Sequence, residues 1–212
     1  MGMTEKSRKH LRKFAILLLG MAVMCLAGCS SSSKSPAEPY VVKIGDMEVK
    51  TGETTLQELA DAGYEISDSN GREMMYDDEG NLEMLYTQVY DLTSETEART
   101  VYSAIAVVKD LQQVAIISIC NDAEENAPLS ECKVTTVTIY SNYWEMEKAS
   151  FEGVSMENMS SDALTEVLGE PTRVSESQDK YTWERGLYTL ELNYQEDGSV
   201  DNVRSSFNAF AS

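Results

Sequence analysis

Histidine is all but missing from this chain: His10 is the only one. Basic residues are also scarce, with 17 Lys and Arg against 36 Asp and Glu and a net charge of −19. Phosphate backbones are held by clustered Lys and Arg, so nucleic acid is excluded as a partner. Long apolar stretches are missing too. The one run, Phe14 to Ala27, has 14 residues, short of the roughly 20 that span a bilayer as a helix. What remains, 42% hydrophobic and 25% charged residues, matches a folded domain and argues against general disorder.

The apolar run follows Lys6, Arg8, Lys9, Arg12 and Lys13. Basic residues, a short apolar core and small residues at a cleavage point are the parts of a secretory signal. The run ends in Leu26-Ala27-Gly28-Cys29, which resembles the bacterial lipobox. Residues 1–28 are thus expected to be a lipoprotein signal peptide, cut between Gly28 and Cys29. Cys29 would carry the diacylglyceryl group, and Cys25 would leave with the signal. Residues 29–39, rich in Ser with Pro36 and Pro39, read as a flexible tether. The expected location is the extracytoplasmic face of the cell membrane.

Cleavage there removes five basic residues and Glu5. The mature chain keeps 12 basic and 35 acidic residues, a net charge of −23, and no histidine. Ser-His-Asp and Cys-His catalysis, His-ligated zinc and imidazole proton shuttles are thereby excluded from the mature chain.

Two units are expected after the tether, 40–142 and 143–212, in an α+β fold with a short helix packed on an antiparallel sheet in each. In the first, VVKI, Gly45-Asp46 and MEVK suggest a hairpin. Thr55 and Glu58 have capping-box spacing ahead of Leu56, Leu59 and Ala60, and Gly63 can close the helix. Val, Ile, Thr and Tyr mark strands at Leu85–Tyr90, Arg99–Val108, Gln113–Cys120 and Lys133–Tyr140. In the second, Ser161-Asp162 opens a helix stopped by Gly169 and Pro171. Strands follow at Lys180–Glu184, Leu187–Tyr194 and Ser199–Phe207. A shift of 108 residues matches Gly45 with Gly153, Leu56 with Leu164, Glu58 with Glu166 and Leu59 with Val167, a thin sign of duplication.

Leu168-Gly169-Glu170-Pro171, Tyr181, Trp183, Leu190, Leu192, Asp197-Gly198 and Val203 give residues 151–207 a further likeness. The segment resembles the unit of the SmpA/OmlA outer-membrane lipoproteins and of β-lactamase inhibitory protein. The whole chain looks like surface lipoproteins of Gram-positive gut bacteria. The resemblance implies α+β units whose sheets present a binding face, with no catalytic residues.

Cys120 and Cys132 bracket a polar loop between two strands. Export permits a disulfide between them; the alternative is two buried free thiols. The acidic turns ending in Gly80 and Gly198 fail the spacing of a calcium loop: Met75 would fall at position one of the first, and Arg204 at position twelve of the second. Paired carboxylates with Trp144 and Trp183 would suit a small hydrolase, but nothing singles out two of the acids. Tyr181 and Trp183 share one side of their strand and either line a binding surface or pack under the helix. The expectation is a non-catalytic binding protein without metal or cofactor, held to the membrane by its lipid, with a protein or cell-wall partner. The alternatives are an envelope-protein assembly factor, a solute-capturing lipoprotein and a small hydrolase.

Overall fold

The computed structural model describes residues 37–76, 82–86, 88–142, 148–177 and 179–210. The signal, Gly28, Cys29, most of the tether, the Asp77–Gly80 turn and Trp144 lie outside the described residues. Ala37–Ser212 forms one compact unit.

Strands dominate it. Gly45-Asp46 turns β1 (Val41–Ile44) into β2 (Met47–Lys50), with Gly45 at φ +58°. Thr55 then caps α1 (Leu56–Asp61) with the reciprocal box its spacing foretold. The Glu58 amide donates to Thr55 Oγ1 at 3.3 Å, and the Thr55 amide donates to the Glu58 carboxylate at 2.7 Å. Leu56 and Leu59 are fully buried, so the helix is held by its apolar stripe. β3 (Glu65–Asp68) follows. A hairpin, β4 (Arg72–Tyr76) with β5 (Leu82–Tyr86), stands apart from the main sheet. β5 ends at Tyr86, four residues short of the end of the strand expected at Leu85–Tyr90, and beyond it Val89 makes only an isolated bridge to Ser67. A short β6 (Glu95–Thr96) leads to β7 (Thr100–Lys109) and β8 (Gln112–Asn121). β9 (Ala127–Pro128) pairs with β6, and β10 (Lys133–Tyr140) follows.

The same order of elements then returns. A hairpin of β11 (Ala149–Phe151) and β12 (Val154–Ser155) precedes α2 (Ser161–Leu168). After it come β13 (Arg173–Val174), β14 (Lys180–Arg185), β15 (Tyr188–Tyr194) and β16 (Val200–Phe207). The two halves join by like elements. β1 pairs with β11, and β10 pairs with β16. One four-stranded sheet results, in the order β12-β11-β1-β2, and one eight-stranded sheet, in the order β13-β14-β15-β16-β10-β8-β7-β3.

The β1–β11 register shows the symmetry. Val42 faces Phe151, Lys43 faces Ser150 and Ile44 faces Ala149, an arrangement that is unchanged when the two strands exchange places. The repeat is offset differently from the sequence match. Ile44 and Met47 correspond to Phe151 and Val154 as the residues closing each hairpin. The helix caps Thr55 and Ser160 correspond, as do buried Leu59 and Leu164. The 108-residue shift had placed Val167 against Leu59, but Val167 is 52% exposed.

These pairings overturn the expected fold class. The described structure is mostly antiparallel β, with two α-helices of six and eight residues among the described residues. It is not a pair of α+β units in which a helix covers each sheet. Helices this short bury one or two large side chains each and cannot cover an eight-stranded sheet. The missing cover comes from the four-stranded sheet: Val42, Ile44, Val49, Ala149 and Phe151 share one core with Ile105, Ile117, Val137, Leu190 and Val203 of the large sheet. Strands from both sides of residue 142 thus line the same core.

Candidate functional site

Side chains alternate across a strand, so each strand of the large sheet gives one set to the core and one to the opposite face. The registers trace a row of core-facing residues through Trp183, Leu190, Ser205, Val137, Ile117 and Ile105. The neighbouring row on the other face runs Arg173, Thr182, Glu191, Arg204, Thr138, Ile116, Ala106 and Ser67, one residue from each of the eight strands. Two further rows flank it. One holds Lys180, Asn193, Asn202 and Tyr140; the other holds Glu184, Thr189, Ser206, Thr136 and Ser118.

This outer face is closed at the β3 end. Ser67 and Ala106 are fully buried there, and Ser67 Oγ donates to the Gln88 carbonyl at 2.8 Å. From Ile116 to Arg173 it is open to solvent in part, and its residues are hydroxyls, amides and charges. Arg173 pairs with Glu184 and Lys180 with Glu191, each at 2.5 Å, and Asn193 Nδ2 donates to Asn202 Oδ1 at 3.0 Å. Arg204 is exposed, sits opposite Glu191 in register, and has no ion-pair partner among the described residues. A shallow depression of about 280 Å³ at the β13 edge is lined by Arg173, Val174, Ser175, Lys180, Thr182 and Glu191. Three basic and two acidic side chains therefore stand on this face of a strongly acidic chain.

Trp183 does not belong to that surface. It is 3% exposed, in the core-facing row, and its indole Nε1 donates to the Gly169 carbonyl at 2.8 Å. A helix leaves its last carbonyls without partners, and the indole supplies one at the end of α2. Tyr181 is half-buried beside it, stacked on Trp183 at 6.4 Å and edge-on to Tyr194 at 5.8 Å. Tyr194 Oη in turn accepts from the Ser161 amide at 2.8 Å, at the start of α2. Tyr181 and Trp183, open in the sequence to either a binding surface or a place under the helix, fasten the second helix to the sheet at both its ends together with Tyr194.

Cys120 and Cys132 are both buried and free. The ladder places Lys133, not Cys132, opposite Cys120, so the two cysteines are offset by one residue. Thr96 Oγ1 lies 3.4 Å from Cys132 Sγ. Burial pushes both thiols up, with Asp122 adding to it at each site and the Thr96 hydroxyl opposing it at Cys132. A raised thiol holds little thiolate near neutrality, and thiolate is the reactive form. Both cysteines are therefore expected to resist alkylation in the folded protein and to react fully in denaturant without reductant, read by mass spectrometry of the peptides. Reaction only after a reductant is added would show a bridge.

The carboxylates whose acidity shifts have structural duties. Asp91, Asp179 and Asp197 are held below the ordinary Asp value by Ser or Thr hydroxyls in exposed turns. Asp197, for example, accepts from Ser199 Oγ at 2.6 Å and from the Ser199 amide at 2.9 Å. Among the described residues no three His, Cys, Asp or Glu side chains gather to hold a metal ion, and no helix is long and apolar enough to cross a membrane.

The open polar rows were not found by reading the sequence. Their signal is present as alternation, Thr189-Glu191-Asn193 against Leu190-Leu192 and Thr136-Thr138-Tyr140 against Val137-Ile139, but only the pairing of β10 with β16 makes them one surface. Comparison of the chain with protein-family models, with curated proteins and with solved structures gives no match.

Proposed function

We propose that the protein is a lipid-anchored, extracytoplasmic binding protein without catalytic activity, and that it meets a protein or cell-wall partner through the outer face of its eight-stranded sheet. The observation that carries the reading is the row from Arg173 to Ile116. It is continuous across both halves, backed by a single core, and near its middle has Arg204, which has no ion-pair partner among the described residues. The short hydroxyl and amide side chains of this face cost little side-chain entropy to order. An arginine not engaged in an ion pair can offer its donors to a partner. The expected signal, lipobox and tether support the location. The mature chain lacks histidine, and its shifted carboxylates are tied up in turns, which supports a role other than hydrolysis.

Photocrosslinking on intact cells tests both parts. A photoreactive side chain at Thr138 is expected to give a discrete adduct that Arg204→Glu suppresses, and one at exposed Val167 on α2 is expected to give none. Equal adducts at both positions, or none at Thr138, would refute the binding face. Cys29→Ala is expected to accumulate an unprocessed precursor; a mature-size, membrane-bound form in that variant would refute the anchor.

A further inference from the structure

Two large exposed apolar side chains stand at the end of the domain where the tether enters. Ala37 packs against the β14–β15 turn so closely that a Cβ added to Gly186 would lie 2.7 Å from Ala37 Cβ. The next residue in that turn, Leu187, is 46% exposed. Its carbonyl accepts from the Asn208 amide at 3.0 Å, and two residues further on Phe210 is 42% exposed. Seven residues, 30–36, separate Ala37 from Cys29, a reach of at most about 28 Å when fully extended. A chain acylated at Cys29 therefore keeps this end of the domain close to the bilayer at all times.

We propose that Leu187 and Phe210 form a membrane-contacting end, seated in the surface of the same bilayer that holds the lipid anchor; this rests on the anchored reading of Cys29. An apolar residue held within reach of a bilayer gains by entering its boundary region, and the tether removes most of the entropy cost of finding it. The outer face of the sheet, which runs along the strands from this end, then stands away from the membrane and is open to a partner. The opposite end of the sheet provides a matched control. β16 ends at Phe207, which pairs with Tyr188 beside the Leu187 turn. β8 runs antiparallel to β10 and begins beyond Tyr140, at the opposite end. Leu111 lies in the turn just before β8 and is 54% exposed. It occupies in the first half the turn position that Leu187 occupies in the second, so it has the same residue type, similar exposure and the far end of the sheet.

The test uses the full lipidated protein, purified from membranes and placed in phosphatidylcholine vesicles carrying doxyl-labelled phosphatidylcholine. A bimane label is attached to Leu187→Cys, Phe210→Cys or Leu111→Cys in separate preparations, with the unsubstituted protein as the labelling blank. Fluorescence at 187 and 210 is expected to be roughly halved by the lipid quencher and that at 111 to be unchanged. Equal quenching at all three positions, quenching at 111 alone, or none at any position while the protein still floats with the vesicles would overturn the membrane-contacting end and leave the anchor intact. Failure to float with the vesicles would overturn the anchor itself, and the proposal with it.

Discussion

Trp183→Ala is expected to lower the stability of the folded domain by about 3–5 kcal/mol, the range for truncating a large buried aromatic. Three contributions add in the same direction. The indole is 3% exposed in the row that faces the core. It donates to the Gly169 carbonyl, so its loss leaves a helix-end carbonyl without its partner. It also stacks on Tyr181, which meets Tyr194, whose hydroxyl accepts from the amide at the start of α2. Removing Trp183 therefore loosens the helix at both ends. Trp183→Phe retains an aromatic ring and loses the hydrogen bond, with an expected cost of about 1 kcal/mol for that bond and a remainder for the smaller ring. Denaturant titrations followed by circular dichroism measure both. A change within about 0.5 kcal/mol for Trp183→Ala, the size of an ordinary surface substitution, would show that the indole is not a core residue.

Local signals were legible in the sequence wherever one residue's chemistry decides the conformation. Thr55 and Glu58 announced the capping box because both partners lie within one helical turn. Gly45-Asp46 announced a hairpin because a two-residue turn needs a positive φ. The long strands β7, β8, β10, β14, β15 and β16 were legible from their Val, Ile, Thr and Tyr content, whereas the two- and three-residue strands β9, β11, β12 and β13 were not. The covering of the large sheet was not. Leu56, Leu59 and Leu164 gave apolar stripes to short helices, and those stripes suggested helix-on-sheet units. Nothing in VVKI or in Ala149-Ser150-Phe151 says that these strands pair with each other and become the second layer. That pairing joins residues more than a hundred positions apart, and its register depends on which side chains the finished core accepts. The site was missed for the same reason. Trp183 and Tyr181 could be read as binding residues because aromatics favour interfaces, while nothing marked the polar residues that share the open face, Arg204, Glu191 and Thr138, as one surface until β10 and β16 were placed side by side.

Separating the two halves that this juxtaposition joins has the largest expected effect on the molecule. The sequence places a boundary between residues 142 and 143, with an independent unit on each side. In the structure, cutting there would remove five register pairs between β10 and β16 and three between β1 and β11. It would also part Gly52 from the Phe207 ring, against which an added Cβ would lie 2.8 Å away. Val137, Ile139, Leu190, Leu192 and Val203, all at most 1% exposed, would lose much of their cover. Each buried aliphatic side chain contributes about 1.5–3 kcal/mol. Uncovering several of them takes away an amount comparable to the roughly 5–15 kcal/mol by which a domain is stable. The most direct measurement is therefore to produce residues 37–142 and 143–212 separately and together, and to follow amide exchange and thermal unfolding of each. Neither half alone is expected to show protected amides in β10 or β16 or a cooperative transition, whereas the continuous 37–212 chain shows both. A cooperative transition with protected strand amides in either half alone would mean two independent units, and the shared sheet, with the continuous outer face built on it, would be wrong.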